Sequence, residues 1–324
     1  MYRHWQHTAP ALLICVCGAH VAHCSAQAYP AKVVRLIVPF TPGSGVDSAA
    51  RIFAAGLAEV FSQQVIVDNR GGAAGNIGLE IAARAPGDGY TLAMVNSGHA
   101  ANVSLYRNLA YDLTRDFTAI TQIVASPNTL LAHPSLPARS VGDLIKLAQA
   151  RRGTINYSSA GTGTPTFLAA ELLKKLAHVD LMHVPYRGGN EALTAVVSGE
   201  VSIYMGPVAA SLQLVRQGRL RALAVTSAKR LSMLPETPTV AETVAGYELQ
   251  TWYGLVVPAK TPRDIIAAIH AAAVTALNRP EVSRRMIELA YIPVGNSPNE
   301  FAAQIKSEIE KLGRIILELK LAAE

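Results

Sequence analysis

From residue 33 onward, apolar runs alternate with apolar stripes of helical period. Val33 to Val38 is aliphatic except for Arg35, the pattern of a strand covered on both faces. Thr41-Pro42-Gly43-Ser44-Gly45 cannot continue that strand. Asp47 and Ser48 then stand where they can cap a helix whose inner face carries Ile52, Ala55 and Leu57. Val65–Asp68 predicts a second strand, followed by a Gly-rich turn at 69–76 and a helix from Ile77 to Ala85. Tyr90–Val95 predicts a third strand, ending in the small polar run Asn96-Ser97-Gly98-His99. This βαβαβ order predicts a parallel sheet with helices on both faces.

The middle of the chain repeats the plan. Ile120–Val124 and Thr129–Ala132 read as extended segments around Ser126-Pro127. Ser140 and Asp143 have the spacing of a capping box. Strands are predicted at Thr154–Tyr157, Leu181–Val184, Val201–Met205 and Ala222–Thr226, each of the first three followed by small residues and a helix. Trp252–Val257 is again extended. Thr261-Pro262-Arg263-Asp264 and Ser297-Pro298-Asn299-Glu300 each predict a helix start with proline in the first turn. The last helix keeps Phe301, Ile305, Ile309, Leu312, Ile316 and Leu319 on one face. The expected fold class is α/β, with two doubly wound units. Residues 29–126 and 251–324 form one discontinuous domain, and 127–250 form the other.

Residues 1–28 are expected to be a secretory signal peptide. Arg3 gives a basic start, Ala9 to Val21 is mostly apolar, and Ala26-Gln27-Ala28 is an A-x-A cleavage pattern. A lipid anchor at Cys24 is the rival reading, but His23 is a poor residue to precede it. Cys15, Cys17 and Cys24 are the only cysteines, so the chain after Ala28 has no disulfide, thiolate nucleophile or Cys-bound zinc. The nine histidines show no metal-ligand spacing. The net charge of +6 is scattered, with no basic stripe interleaved with aromatics. Nucleic acid is therefore not an expected partner. No cofactor is expected either.

In open α/β sheets, ligands sit beyond the carboxyl ends of strands. Those ends here are Thr41–Gly45, Ser97–His99, Ala160–Thr164 and Gly206-Pro207. They are rich in Gly, Ser and Thr and short of charge. Backbone N–H groups at helix starts, helped by hydroxyls, can hold a carboxylate without a salt bridge.

The ordered set of motifs resembles the Bug-type periplasmic receptors of tripartite tricarboxylate transporters. The motifs are VRLIVPFTPGSGVDSAAR at 34–51, VIVDNRGGAAGNIG at 65–78, GDGYTL at 87–92, INYSSAGTGTPT at 155–166 and HVPYRGG at 183–189. They continue with GRLRALAVTSAKR at 218–230, LPETPTVAE at 234–242 and TWYGLVVPAKTP at 251–262. The resemblance implies a type 2 periplasmic binding protein, a two-domain Venus flytrap with a hinge. Such a protein has no catalytic residues, closes on a small organic acid, and delivers it to membrane permease subunits or to a sensor protein; a monomer is expected. It implies ligand contacts at Phe40, Thr41, Ser44, Gly45, Asp47, Ser97 and His99 from one domain. The facing domain would supply Ala160, Gly161, Thr162, Gly163, Thr164, Gly206 and Pro207. Many relatives have an acidic residue at the place of Gly206 and a histidine at the place of Phe167. These departures, with Met205 and Phe40 nearby, point to a dicarboxylate with an apolar middle, such as terephthalate or adipate, over citrate or aspartate.

Two other classes of function remain open on the residues alone. Gly43-x-Gly45-x-x-Ser48 with Asp68 downstream approaches a dinucleotide fingerprint, hence a nicotinamide-dependent dehydrogenase. Against it stand Thr41-Pro42, the serine at the third small position, and export. Ser44, Ser97 and Ser159 lie near strand ends and allow a secreted hydrolase, but none sits in a G-x-S-x-G elbow. Arg70 and Arg187 are candidate carboxylate clamps whose expected place is on loop surfaces. His183 is expected to be a satisfied structural histidine.

Overall fold

The computed structural model describes residues 1–2 and 29–321, so the expected signal peptide and its cleavage site lie outside the described residues. The first lobe is built from strand β1 (Val34–Val38), helix α1 (Gly45–Phe61), β2 (Val65–Asn69), α2 (Asn76–Ala83), β3 (Thr91–Asn96), α3 (Ser97–Leu105) and β4 (Phe117–Ser126). The second holds β5 (Asn128–Ala132), α4 (Val141–Ala150), β6 (Asn156–Ser159), α5 (Pro165–Ala177), β7 (Met182–Pro185), α6 (Gly189–Val197), β8 (Ile203–Pro207), α7 (Val208–Arg216) and β9 (Arg221–Val225). The chain then returns to the first lobe for β10 (Thr251–Pro258), α8 (Arg263–Asn278), α9 (Pro280–Glu288), β11 (Ile292–Pro293) and α10 (Pro298–Leu319).

The strands form two sheets, ordered β2-β1-β3-β10-β4-β11 and β7-β6-β8-β5-β9. In each, three neighbouring strands run parallel, as the alternation of elements requires. Each sheet is nevertheless mixed, not wholly parallel as the sequence suggests. β10 runs antiparallel between β3 and β4, and β5 antiparallel between β8 and β9. β5 and β10 are the strands that arrive from the other lobe; the short β11 at the edge is also antiparallel, to β4. Ser126 ends β4 in the first sheet and Asn128 begins β5 in the second, so Pro127 alone spans the first crossing. Proline suits that point because it has no N–H to leave unpaired and holds a fixed φ.

β1, with Val34, Leu36, Ile37 and Val38 fully buried, is the covered strand that its composition predicts. The helix ends differ in detail. Asp47 and Ser48 do not cap α1; Ser44 does, its Oγ accepting from the Asp47 N–H at 3.4 Å. Pro262, not Thr261, is the N-cap of α8, and the Thr261 hydroxyl donates instead to Pro258 O at 2.7 Å. The Ser297–Glu300 box closes in both directions. At Ser140 the serine accepts from Asp143 N–H, but the Asp143 carboxylate takes the Arg139 N–H rather than reciprocating.

Candidate ligand cleft

The carboxyl ends of the parallel strands in both sheets face one another, and two spaces lie between them. The inner chamber has a volume of about 50 Å³, room for three to five waters, roughly the bulk of one carboxylate. The outer crevice is about 880 Å³. Phe40 and Ala160, one from each lobe, line both spaces, so the two adjoin there.

Five helices open onto the inner chamber. Its wall includes the N-caps of α1, α3, α5 and α7, namely Ser44, Asn96, Thr164 and Pro207, and the first residues of α6, Gly189 and Asn190. None of the lining side chains carries a charge. Each helix start brings unpaired N–H groups and the positive end of a dipole, equivalent to roughly half a charge. Electrostatically the chamber is therefore positive without a lysine or an arginine, and it lacks any carboxylate to receive an ammonium. Phe40, Val46, Pro165, Pro207, Ala210 and the ring of Tyr253 supply apolar wall.

Several buried polar atoms at this cleft lack a protein partner. Asn128 is 1% exposed, donates through Nδ2 to Thr251 Oγ1 at 3.2 Å, and leaves Oδ1 unpaired. Rotating that amide by half a turn would present Nδ2 to the chamber and let the Thr251 hydroxyl donate to Oδ1, so the residue can offer either polarity. Thr41 Oγ1 is also unpaired, pressed against Gly188 of the facing lobe, where a Cβ would come within 2.6 Å. The lobes touch across the cleft through Asn190 Nδ2, which donates to Pro42 O at 3.1 Å. At the other side the Tyr106 hydroxyl approaches Thr162 O at 3.5 Å.

Of the residues singled out from sequence, Phe40, Ser44, Gly45, Ala160, Thr164 and Pro207 line the inner chamber. Phe40, Thr41, Ala160, Gly161 and Thr162 line the outer crevice. Asp47, Ser97, His99, Gly163 and Gly206 line neither. Asp47 is turned to its own loop, accepting from Gly43 N–H at 2.7 Å, Arg51 Nε at 2.9 Å and Asn69 Nδ2 at 2.8 Å. Burial alone would raise its pKa; these bonds outweigh burial and hold the carboxyl below its usual range. Ser97 and His99 are not in a loop at all, because the chain enters α3 at Ser97. His99 is fully buried in a capping box. Its Nδ1 accepts the Asn96 N–H at 3.0 Å, while Asn96 Oδ1 accepts the His99 N–H. Its ring lies behind Phe40 and against Gly75, where a Cβ would meet Nε2 at 2.4 Å. Burial pushes its pKa down to about 4, so the ring is neutral at pH 7. Gly163 instead backs onto Asn102 of the facing lobe.

Phe167 and Met205 are buried in the second lobe and line neither space, so the apolar wall does not come from them. Phe167 packs on His183, whose Nε2 lies 2.7 Å from Ser159 Oγ. Ser159 Oγ in turn accepts the Gly161 N–H. That pair supports the 160–164 loop from below and has no carboxylate on the second imidazole nitrogen among the described residues. Asp68 is held by Arg35 and Arg70, at 2.5 and 2.9 Å, so it is not poised for a ribose. Arg187 lines the outer crevice. Asn96, Asn128, Gly189, Asn190, Tyr204, Thr251 and Tyr253 line the chamber without having been singled out from sequence. Asn96, in the small polar run after β3, and Gly189-Asn190, in the glycine turn before α6, carried a local signal; Asn128, Tyr204, Thr251 and Tyr253 sit in buried strands and read as core.

Two α/β lobes joined at crossing strands, with a polar chamber between them, have the architecture of a solute-binding protein of the Venus-flytrap kind. The sequence profile of the tripartite tricarboxylate transporter family receptor matches residues 49–321, and the chain belongs to that family. It is 36% identical over 299 residues to a UPF0065 protein of Pseudomonas sp. strain P51 from the tcbD-tcbE intergenic region, covering 92% of this chain and 89% of that one. Among solved structures, R. palustris Rpa4515 with adipate is 34% identical with a TM-score of 0.87, covering 91% of this chain and 99% of that one. MatC from Rhodopseudomonas palustris with bound malate is 28% identical with a TM-score of 0.84, covering 89% and 100%.

Proposed function

We propose that this protein is a periplasmic receptor that binds a dicarboxylate in the cleft and hands it to the permease subunits of a tripartite tricarboxylate transporter. The observation that carries this reading is the convergence of five helix starts on a chamber with no charged side chain. One carboxylate enters the chamber and takes backbone N–H groups of α1, α5 and α7. Each such charge-assisted bond contributes about 1.5–3 kcal/mol. The carbon chain passes between Phe40 and Ala160. The second carboxylate lies in the outer crevice, where Arg187 is the one charged side chain among the lining residues.

This arrangement favours a dicarboxylate with an apolar middle, aliphatic or aromatic, with adipate and terephthalate as the first compounds to try. Malate, bound by MatC, tests the shorter and more polar alternative. An amino acid is disfavoured because its ammonium would find no acidic side chain in the chamber. Residues 29–126 with 251–324, and 127–250, are the two moving domains, pivoting at Pro127 and at the return into β10. Export with cleavage after Ala28 and action as a monomer complete the reading.

The test is calorimetric titration of the chain from residue 29 with adipate, terephthalate, malate, citrate and aspartate. Saturable one-to-one binding of adipate or terephthalate, tighter than citrate or aspartate, is expected. Tighter binding of aspartate or citrate would reverse the ligand class, and no binding of any carboxylate would remove the receptor reading.

A further inference from the structure

The chamber contains one phenol that the sequence motifs do not single out. Tyr204 lies in β8, two residues before Gly206, so both project from the same face of the strand. Its ring runs along the strand over Gly206. A Cβ built at Gly206 would fall 1.9 Å from Tyr204 Cε1 and 2.4 Å from Cζ. The missing side chain at 206 is thus the space in which the tyrosine lies. Carried over the glycine in this way, the phenol reaches past the strand toward its carboxyl end, where the chamber is. There the hydroxyl lies beside Gly189 in the first turn of α6.

The tyrosine is 1% exposed, yet its hydroxyl makes no hydrogen bond within the protein among the described residues. The oxygen is not one of the fully enclosed atoms that lack a partner, so it opens onto the chamber, where solvent can satisfy it until a ligand does. Here the free O–H faces a chamber shared with Tyr253 of the other lobe. Burial, with Tyr253 and Glu191 adding to it, raises the Tyr204 pKa, so the group remains a neutral donor at any physiological pH.

We infer that Tyr204 is a specificity-determining residue of the cleft: its hydroxyl donates to the ligand carboxylate seated in the inner chamber, and Gly206 is glycine so that the ring can reach it. This rests on the receptor reading above. A neutral donor at this point accepts an anion without bringing a second charge. A side chain at 206 would displace the phenol and present its own chemistry instead, so the pair sets which acid the chamber takes.

The experiment compares the wild-type chain from residue 29 with Tyr204→Phe, using adipate, terephthalate and malate as titrants and thermal unfolding of the ligand-free proteins as control. For the tightest of the three acids, Tyr204→Phe is expected to weaken binding by about 10-fold or more. The ligand-free midpoint should stay within about a degree, since the hydroxyl has no protein bond to lose. Unchanged affinity, or affinity and ligand-free stability falling together, overturns the assignment while leaving the receptor reading intact. Gly206→Ala gives a second arm: a folded variant that binds as wild type also overturns it. If the wild type binds none of the three acids, the receptor reading and this one fall together.

Discussion

Gly206 and His99 show how much one side chain can commit in this cleft. Replacing Gly206 by alanine puts a methyl group against the Tyr204 ring, so the buried ring must shift to admit it. Overpacking of this kind costs about 1–3 kcal/mol. Urea unfolding of Gly206→Ala should show a lowered midpoint with unchanged slope. His99 makes a different commitment. Its folded pKa of about 4 lies below the ordinary 6.5, so the unfolded chain binds the proton more readily. Stability is therefore complete above about pH 6.5 and is lost as the pH falls toward 4, with about 3 kcal/mol at stake. Unfolding free energies measured from pH 7.5 to 4 should decline along that window. A His99→Gln variant, less stable at neutral pH, should decline less steeply. The sequence pointed to His99 as a ligand contact because a loop was expected there. Its role as a helix cap was hidden, since the third-position partner of a capping box is ordinarily Glu or Gln.

At the scale of elements, the helix starts are the working parts. Ser44, Asn96, Thr164 and Pro207 each end an approach from a strand and begin a helix, so the same turn that stops the strand aims N–H groups at the chamber. Truncating Ser44 to alanine removes the cap of α1 and should lower stability by about 1 kcal/mol, read by thermal or urea unfolding. Asn190 in α6 crosses the cleft to Pro42 O. Asn190→Ala removes that clasp; a neutral hydrogen bond contributes about 0.5–1.5 kcal/mol, so ligand affinity should fall about 2- to 10-fold in a titration. Most of the strand–helix alternation was legible from residue 33 onward, because short apolar runs ended by small residues differ from longer stripes of helical period. Helices α3 and α9 were not read as separate elements. α3 begins with Ser97-Gly98-His99, a run that favours a loop by composition, and is helical because Asn96 and His99 cap it and α10 packs on it.

At the scale of the whole molecule, function depends on two lobes presenting their strand ends to one another. A ligand that bridges them binds only the folded, closed form. At about 100 times its dissociation constant it should add about 2.7 kcal/mol to stability. A thermal-shift series with rising adipate or terephthalate checks this, and a midpoint indifferent to concentration would contradict bridging. The antiparallel strands β5 and β10 are each inserted beside the third strand of a parallel set by a crossing chain. Local sequence does not contain that direction, because an isolated apolar run looks the same pointing either way.

The chain by itself determined the alternation of elements, the small-residue loops that end the strands, and the absence of charge in those loops. These are set by local periodicity and by the conformational limits of Gly, Pro, Ser and Thr, which act within a few residues. Tertiary structure alone decided that Asp47 serves its own loop, that His99 is a cap, and that Phe167 and Met205 lie away from the chamber. It also decided that Asn128, Tyr204 and Tyr253, which read as core, line the chamber wall. The reason is that a side chain's neighbours across a cleft come from segments as much as 200 residues away, and only packing brings them together.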